Sequence, residues 1–312
     1  MQNQNQSGSQ PKPASENKFA DKTSLAFQYY LIQKNRKKRN KVIDVIDPLA
    51  DLITQLFSAG EQGAIYIPRP VVNGVQSLFQ DAAGTIPVAA DGDPVGRMLD
   101  QSGNGNHAVQ TVSGSRLIYR TDGTLHWLQH NGINQFLYFE DHPFTFTGGI
   151  TVVAGFEKVG VFNNFETLLG VATDNPLNND QKSMAFQISS DNIGKLATDI
   201  WRPSGVRGST FLKESVTRVA SWETANWSTH RNGGNTRIQL DGVDETVSDH
   251  NSFDNLSLNA GSAYIGVFNP VSLKSSFYKG KTFCLIVRAA TSTGSEIADA
   301  TAYVANLAGK TL

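Results

Sequence analysis

Three groups of residues in this chain have the types and spacing for chemistry. The first is a cluster of acids, Asp241, Asp244, Glu245 and Asp249. A retaining glycoside hydrolase needs two carboxylates about 5–5.5 Å apart across the scissile bond, which on a strand means acids two or four residues apart on one face. Here Asp241-Gly242 reads as a two-residue hairpin tip, and alternation sends Asp244 and Glu245 to opposite faces. A solvated hairpin accounts for these acids better than a catalytic pair. The second group is Trp201 and Arg202 before a Pro/Gly loop, with Asn226 and Trp227 in the polar loop Ala225-Asn-Trp-Ser-Thr-His-Arg-Asn-Gly-Gly234. Aromatic rings flanked by hydrogen-bonding side chains suit a sugar. The competing reading puts these tryptophans in a core or interface, where Trp127 and Trp222 belong by their strand context. The third is Asp100-Gln-Ser-Gly-Asn-Gly-Asn106, a run of residues that tolerate positive φ, which reads as an Asx-turn network satisfying its own backbone. No zinc, phosphate-loop or serine-hydrolase motif occurs. No catalytic residue, no enzyme activity and no cofactor are expected.

These groups sit in a chain whose texture changes near residue 63. Residues 1–18 are Gln, Asn, Ser, Pro and Lys with Met1 as the one large side chain, too little apolar surface to offset ordering entropy, so a disordered polar tail is expected. Residues 19–62 read as a helical, basic attachment or oligomerisation segment. Leu25, Tyr29 and Ile32 recur at helical spacing, and a second series runs Val42, Val45/Ile46, Leu49, Leu52/Ile53, Leu56, with Asp47-Pro48 restarting the helix. This stripe fits either a helix packed on its own domain or a docking helix built on Leu49, Leu52, Ile53 and Leu56. Between the two series lie Lys34, Arg36, Lys37, Lys38, Arg39 and Lys41. The tract has no interleaved aromatics, so a solvated face or a contact with an acidic protein surface fits it better than nucleic acid.

From residue 63 to 312 short strands recur every ten to fifteen residues: Ala64–Ile67, Gln135–Phe139, Ile150–Phe156, Thr167–Val171, Met184–Ile188, Val216–Trp222, Thr236–Leu240, Val243–Val247, Ala263–Val267 and Thr282–Val287. That spacing argues a mostly β chain, an antiparallel β-sandwich or jelly roll, closed by a helix over Ser295–Leu307. Cys284, the lone cysteine, falls in an apolar strand and reads as a buried inert thiol. Net charge is −1, but residues 1–62 carry nine Lys/Arg against six Asp/Glu while the remainder carries eighteen against twenty-two, which excludes a whole-chain electrostatic nucleic-acid binder. Neither a secretory signal nor an apolar stretch of the ~18 residues that span a bilayer is present, so synthesis and folding in a bacterial cytoplasm are expected.

The run Phe79-Gln-Asp-Ala-Ala-Gly-Thr85, then Asp93-Pro-Val-Gly96, then Asp100 to His107, and Tyr119-Arg-Thr-Asp-Gly-Thr-Leu-His-Trp-Leu128, resemble the opening of the laminin-G/concanavalin-A-like domains of tailed-bacteriophage structural proteins. The likeness covers about residues 64–312 and thins toward Tyr303–Ala308. It implies a virion protein (a tail fibre, fibre adaptor or capsid decoration) that docks by residues 1–62 on other virion proteins, trimerises as fibres do, and displays a lectin-like sandwich. The alternative it implies is a host-attachment lectin for surface glycans. Calcium is the usual ion of such domains, with Asp100 as a weak candidate ligand. The family pattern Glu-Phe-Asp-Gly-Val-Asp-Asp is here Gln129-His-Asn-Gly-Ile-Asn-Gln135, which has no acid, so no metal is expected at that turn.

Overall fold

A computed structural model describes residues 47–140, 149–160, 166–173, 183–189, 195–200, 206–211, 216–225, 236–247, 261–268 and 276–312. Asp47–Leu312 forms one compact unit of three layers. Two antiparallel sheets face each other, and two helices cover the outer side of the first sheet.

The first sheet contains β1 (Gly63–Tyr66), β5 (Pro94–Val95), β8 (Leu117–Thr121), β9 (His126–Asn131), β11 (Gly149–Lys158), β16 (Thr217–Ala225), β17 (Thr236–Leu240), β18 (Val243–Asp244) and β21 (Lys279–Arg288), in the order β18-β17-β16-β11-β21-β9-β8-β5, with β1 also on β21. The second contains β4 (Leu78–Phe79), β6 (Arg97–Met98), β7 (Ala108–Val109), β10 (Leu137–Phe139), β12 (Glu166–Thr173), β13 (Ser183–Ser189), β14 (Lys195–Ile200), β15 (Val206–Phe211), β19 (Thr246–Val247) and β20 (Gly261–Ile265), in the order β19-β15-β14-β13-β12-β20-β10-β7-β6-β4. A small hairpin, β2 (Val71–Val72) with β3 (Val75–Gln76), stands apart. The sandwich expected from strand spacing is the observed fold. The Asp241-Gly242 tip is also as expected, with both residues at positive φ (54° and 79°), the geometry that lets a two-residue turn follow the strand twist.

Alternation along the strands builds two separate cores. Tyr66, Leu128, Val152, Trp222, Leu285 and Val287 of the first sheet meet Leu137, Phe139, Leu169, Phe186 and Ile265 of the second between the sheets. The intervening residues Ile65, Val153, Val219, Cys284 and Ile286 point the other way, against the helices. Cys284 is fully buried, and burial pushes its thiol up to about 12, so at neutral pH it stays protonated and inert.

Helix α1 (Pro48–Phe57) starts on Asp47, whose carboxylate accepts from Leu49 N at 3.0 Å and from Asn73 Nδ2 at 2.7 Å. Helix α2 (Gly294–Leu307) starts on a reciprocal Thr293/Glu296 capping box. Leu49, Leu52 and Leu56 are buried at 4%, 3% and 2% exposure, and Ile53 packs against the same cluster. Of the two readings of this stripe, the helix packed on its own domain is the one observed. Leu49, Leu52 and Leu56 are taken up by α2 and the first sheet, with Ile53 half-buried at the margin, which corrects the reading of these residues as a docking face. Helix α1 therefore belongs to the sandwich unit, which begins at Asp47 rather than at residue 63. The basic residues Lys34, Arg36, Lys37, Lys38, Arg39 and Lys41 lie outside the described residues, as does the tail 1–18.

Two arginine-centred networks pin the layers. Arg288, at the end of β21, bonds Glu61 (2.6 Å), Thr291 O (2.7 Å), Ser292 Oγ (2.9 Å) and Glu296 (3.3 Å), so it joins the approach to β1, the last strand and the start of α2. Arg218 and Lys310 both reach Asp241 Oδ2, at 2.6 and 3.1 Å, and Val219 N donates to its Oδ1. A chain starting at Asp47 is expected to melt within about 2 °C of the full chain. One starting at Gly63, lacking α1 and Glu61, is expected to melt at least about 10 °C lower or to aggregate. Calorimetry on both truncations checks this.

Candidate functional site

Trp201, Arg202, Asn226 and Trp227 lie outside the described residues. The remaining sequence candidates have definite places. Asp100 is 8% exposed, and its carboxylate accepts from Ile65 N (2.9 Å), Ser102 N (2.8 Å), Ser102 Oγ (2.8 Å) and Asn106 N (3.1 Å). Burial raises its pKa against the pull of those bonds. Around it, Asn106 Nδ2 and Asn104 Nδ2 donate to Gly63 O at 2.7 and 3.2 Å, and Tyr66 Oη donates to Asn106 O. The tract is a staple that fixes β1 to the 100–106 loop. Its acceptor positions are taken by protein donors, which corrects the weak candidacy of Asp100 for calcium. Among the described residues no group of three or more His, Cys, Asp or Glu could hold a metal ion.

The turn after β9 is held by carboxamides. Asn131 Oδ1 accepts from Ile133 N, Asn134 N and Gln135 N at 2.9, 3.2 and 3.3 Å. Of the acid cluster, Asp241 is bonded to Arg218 and Lys310, Asp244 pairs with Arg237 at 2.8 Å, and Asp249 lies outside the described residues.

Three polar groups are buried between the sheets. Lys158 at the end of β11 and Glu166 at the start of β12 form an ion pair of 2.7 Å, with side chains 1% and 9% exposed, linking one sheet to the other. Burial pushes the Glu166 carboxyl up, and the Lys158 ammonium pulls it back. The ion pair keeps the charge tolerable in a poorly solvated place. Nearby, His130 Nε2 lies 3.0 Å from Thr282 Oγ1, its ring is edge-on to Tyr278 at 5.1 Å, and its buried Nδ1 has no hydrogen-bond partner among the described residues. Burial alone lowers its pKa to about 3.

The surface that suits a ligand is the outward face of the second sheet. Direct cross-strand pairing makes one continuous row, Phe79–Arg97–Val109–Tyr138–Tyr264–Gly170. Directly paired residues share a face. Their neighbours Leu78, Met98, Ala108, Leu137, Ile265 and Leu169 fill the central core, so the row faces away from it. In mid-row Tyr138 and Tyr264 are half-buried rings 6.5 Å apart, while Val109 and Phe136 are buried, Phe136 lying 6.2 Å from Tyr264 and 6.4 Å from Phe277 as their support. Gly170 bounds this aromatic patch on one side. A Cβ there would meet Val267 O at 2.6 Å and Phe268 Cα at 3.3 Å, so only glycine lets the 267–268 segment cross the sheet and wall the patch with Phe268.

On the other side Arg97 is held by Glu140, Nη2 to Oε2 at 2.7 Å and Nη1 to Oε1 at 3.3 Å, and by Ala82 O at 3.0 Å. His107 Nδ1 accepts from Asp100 N at 3.1 Å, and its pKa is lowered by burial and then by Arg97. At a third edge Gln110 Nε2 donates to Phe136 O at 3.0 Å, Phe136 N donates to Ser115 O at 3.1 Å, and Arg116 Nε donates to Gln110 O at 3.3 Å. The sequence held a signal for this site. Aromatic residues occupy Phe136 and Tyr138, and again Tyr264, each on the opposite parity from residues that fill a core. Unlike Trp201 and Trp227, which the sequence sets at polar loops, these rings lie on or beside strands, where an apolar side chain reads as core.

No family model matches the chain, and no curated protein matches it in sequence. Solved structures do resemble it. Trypanosoma rangeli sialidase in complex with sialic acid is 12% identical, with a TM-score of 0.50 over 91% of this chain and 40% of that one. Domain 4 of AbnA, an extracellular arabinanase from Geobacillus stearothermophilus, in complex with arabinotriose, is 11% identical, with a TM-score of 0.45 over 65% of this chain and 91% of that one. The carbohydrate-binding module of Ruminococcus gnavus IT-sialidase bound to α2,3 sialyllactose is 14% identical, with a TM-score of 0.39 over 50% and 83%. The chain thus spans about two fifths of the length of the sialidases it resembles. At these identities the likeness concerns fold. Sialidases are enzymes, and their presence among the similar structures corrects the expectation of a chain with no enzyme activity: this fold gives no ground for excluding catalysis.

Two outcomes are expected from the buried groups. Below about pH 6.5 the unfolded chain protonates His130, whereas the folded chain does so only near pH 3, so stability falls as pH drops through that window. Between pH 7 and pH 4 this one site is expected to remove about 3 kcal/mol, and urea denaturation of His130→Gln at both pH values should show that part of the slope gone. Asp100→Ala is expected to cost roughly 2–4 kcal/mol, while a calcium chelator leaves the unfolding curve of the unaltered chain in place.

Proposed function

We propose that the sandwich is a carbohydrate-binding module whose ligand lies on the outward face of the second sheet. The observation that carries this reading is the Tyr138–Tyr264 pair with Phe136, Phe268 and Phe277 around it. The C–H faces of a sugar ring stack on aromatic rings, and the phenol hydroxyls of Tyr138 and Tyr264 offer hydrogen bonds beside them. The scaffold suits the reading, since about two fifths of a sialidase solved in complex with sialic acid has a similar fold.

For the setting we infer a virion of a tailed bacteriophage, with the segment before Asp47, including Lys34–Lys41, attaching to other virion proteins and the sandwich meeting glycans on the host surface. The support for this is the laminin-G-like wording of residues 79–128. The similar structures named above add nothing to it.

The binding claim is tested on a glycan array followed by titration calorimetry. Tyr264→Ala and Tyr138→Ala are each expected to weaken the best ligand about tenfold with an unchanged melting temperature. Loss of neither affinity nor selectivity in the double variant would remove the aromatic face as the site. Immunogold labelling of purified particles tests the virion setting, and absence of label from mature particles would end it.

A further inference from the structure

The rim of the aromatic face is not uniform in charge. Arg97 has both terminal nitrogens engaged, by Glu140 and by Ala82 O. Arg116 differs. Its Nε donates to Gln110 O at 3.3 Å, and its two terminal nitrogens have no hydrogen-bond or ion-pair partner among the described residues. The side chain is half-buried, so its stem is held while its fork is uncommitted among the described residues. Its position is fixed through two links to the aromatic face: the Gln110 whose carbonyl it bonds also donates to Phe136 O, and its chain neighbour Ser115 accepts from Phe136 N. Glu140, the carboxylate at the far end of the row, is already paired with Arg97. A planar guanidinium fork, tied through Gln110 and Ser115 to the backbone of Phe136, matches the two oxygens of a carboxylate bidentately.

We propose that the glycan taken by this face carries a carboxylate, and that Arg116 is the specificity-determining residue that receives it. This rests on the glycan-binding reading of Tyr138 and Tyr264. A neutral sugar stacks on the same rings but leaves the fork in water.

The test uses the full chain in calorimetric titrations with two matched probe pairs: sialyllactose against lactose, and oligogalacturonate against the same oligosaccharide with its carboxyls reduced to alcohols. A sulfated oligosaccharide is the third arm. At least one acidic probe is expected to bind about tenfold tighter than its neutral partner. Arg116→Ala should bring the acidic probe down to the neutral level, with Arg116→Lys between, while the neutral probe stays within about twofold. Arg116→Gln, which keeps a donor toward Gln110 O without the charge, repeats the measurement if the alanine variant melts early. Neutral probes that bind as tightly as acidic ones, with Arg116→Ala indifferent, overturn the proposal and leave the glycan reading standing. A sulfated probe that binds as tightly as the carboxylated ones, and loses as much in Arg116→Ala, overturns the carboxylate preference. No binding by any probe, with Tyr264→Ala equally silent, brings down both.

Discussion

The fold depends on the insertion of its last strand into the middle of its first sheet. β21 pairs with β11 along one edge, and with β9 and then β1 along the other. Its residues alternate between the two cores, Leu285 and Val287 inward and Cys284 and Ile286 toward the helices. Until this strand is placed, β1 has no strand partner among the described residues, and the surface under the helices, which Val153 and Val219 also build, lacks Cys284 and Ile286. Gly63 pairs with Arg288 near the two ends of the unit, so the closing contacts are strongly non-local, which marks a slow-folding topology. Arg288 completes the closure by gathering Glu61 and Glu296 around the end of the strand.

The same arrangement explains why the two outward faces differ. The first sheet has its outer side occupied by α1 and α2, which consume the stripe of Leu49, Leu52, Ile53 and Leu56. The second sheet carries half-buried aromatic rings in the corresponding position. A sheet face with several aromatic rings in register costs solubility unless it has a partner, and on this chain the rings are bounded by ordered polar groups, Arg97–Glu140 at one end and Gln110–Arg116 at another. Rigidity comes from beneath: Leu137, Phe139 and Ile265 anchor the very strands that hold Phe136, Tyr138 and Tyr264. A recognition surface built on strands rather than loops holds its geometry with little entropy left to lose on binding.

The buried polar groups serve the scaffold. Asp100 satisfies the backbone of β1 and of its own loop, so the tract is the Asx-turn network expected from its residues, extended into a staple across to β1. Lys158–Glu166 ties the sheets, and His130 stays neutral because burial disfavours its charge. Their spacing alone does not separate such roles from catalytic ones. Burial and the count of donors around each carboxylate do.

The sequence by itself determined the local elements: strands by alternation, the Asp241-Gly242 tip by turn chemistry, α1 by Asp47-Pro48, and α2 by Thr293 with Glu296. It also carried the Asx network of Asp100, because hydrogen bonds within a short loop depend on neighbours in the chain. The tertiary structure alone decided which parity of each strand met a core and which faced out. Alternation is symmetric: Tyr138 lies in one unbroken apolar run with Leu137 and Phe139, and a strand read in isolation does not say which parity fills the core. Whether the stripe on α1 meets a partner or its own sheet is the same kind of question. Its answer lies in β21 and α2, more than two hundred residues away, where the surface that covers it is made.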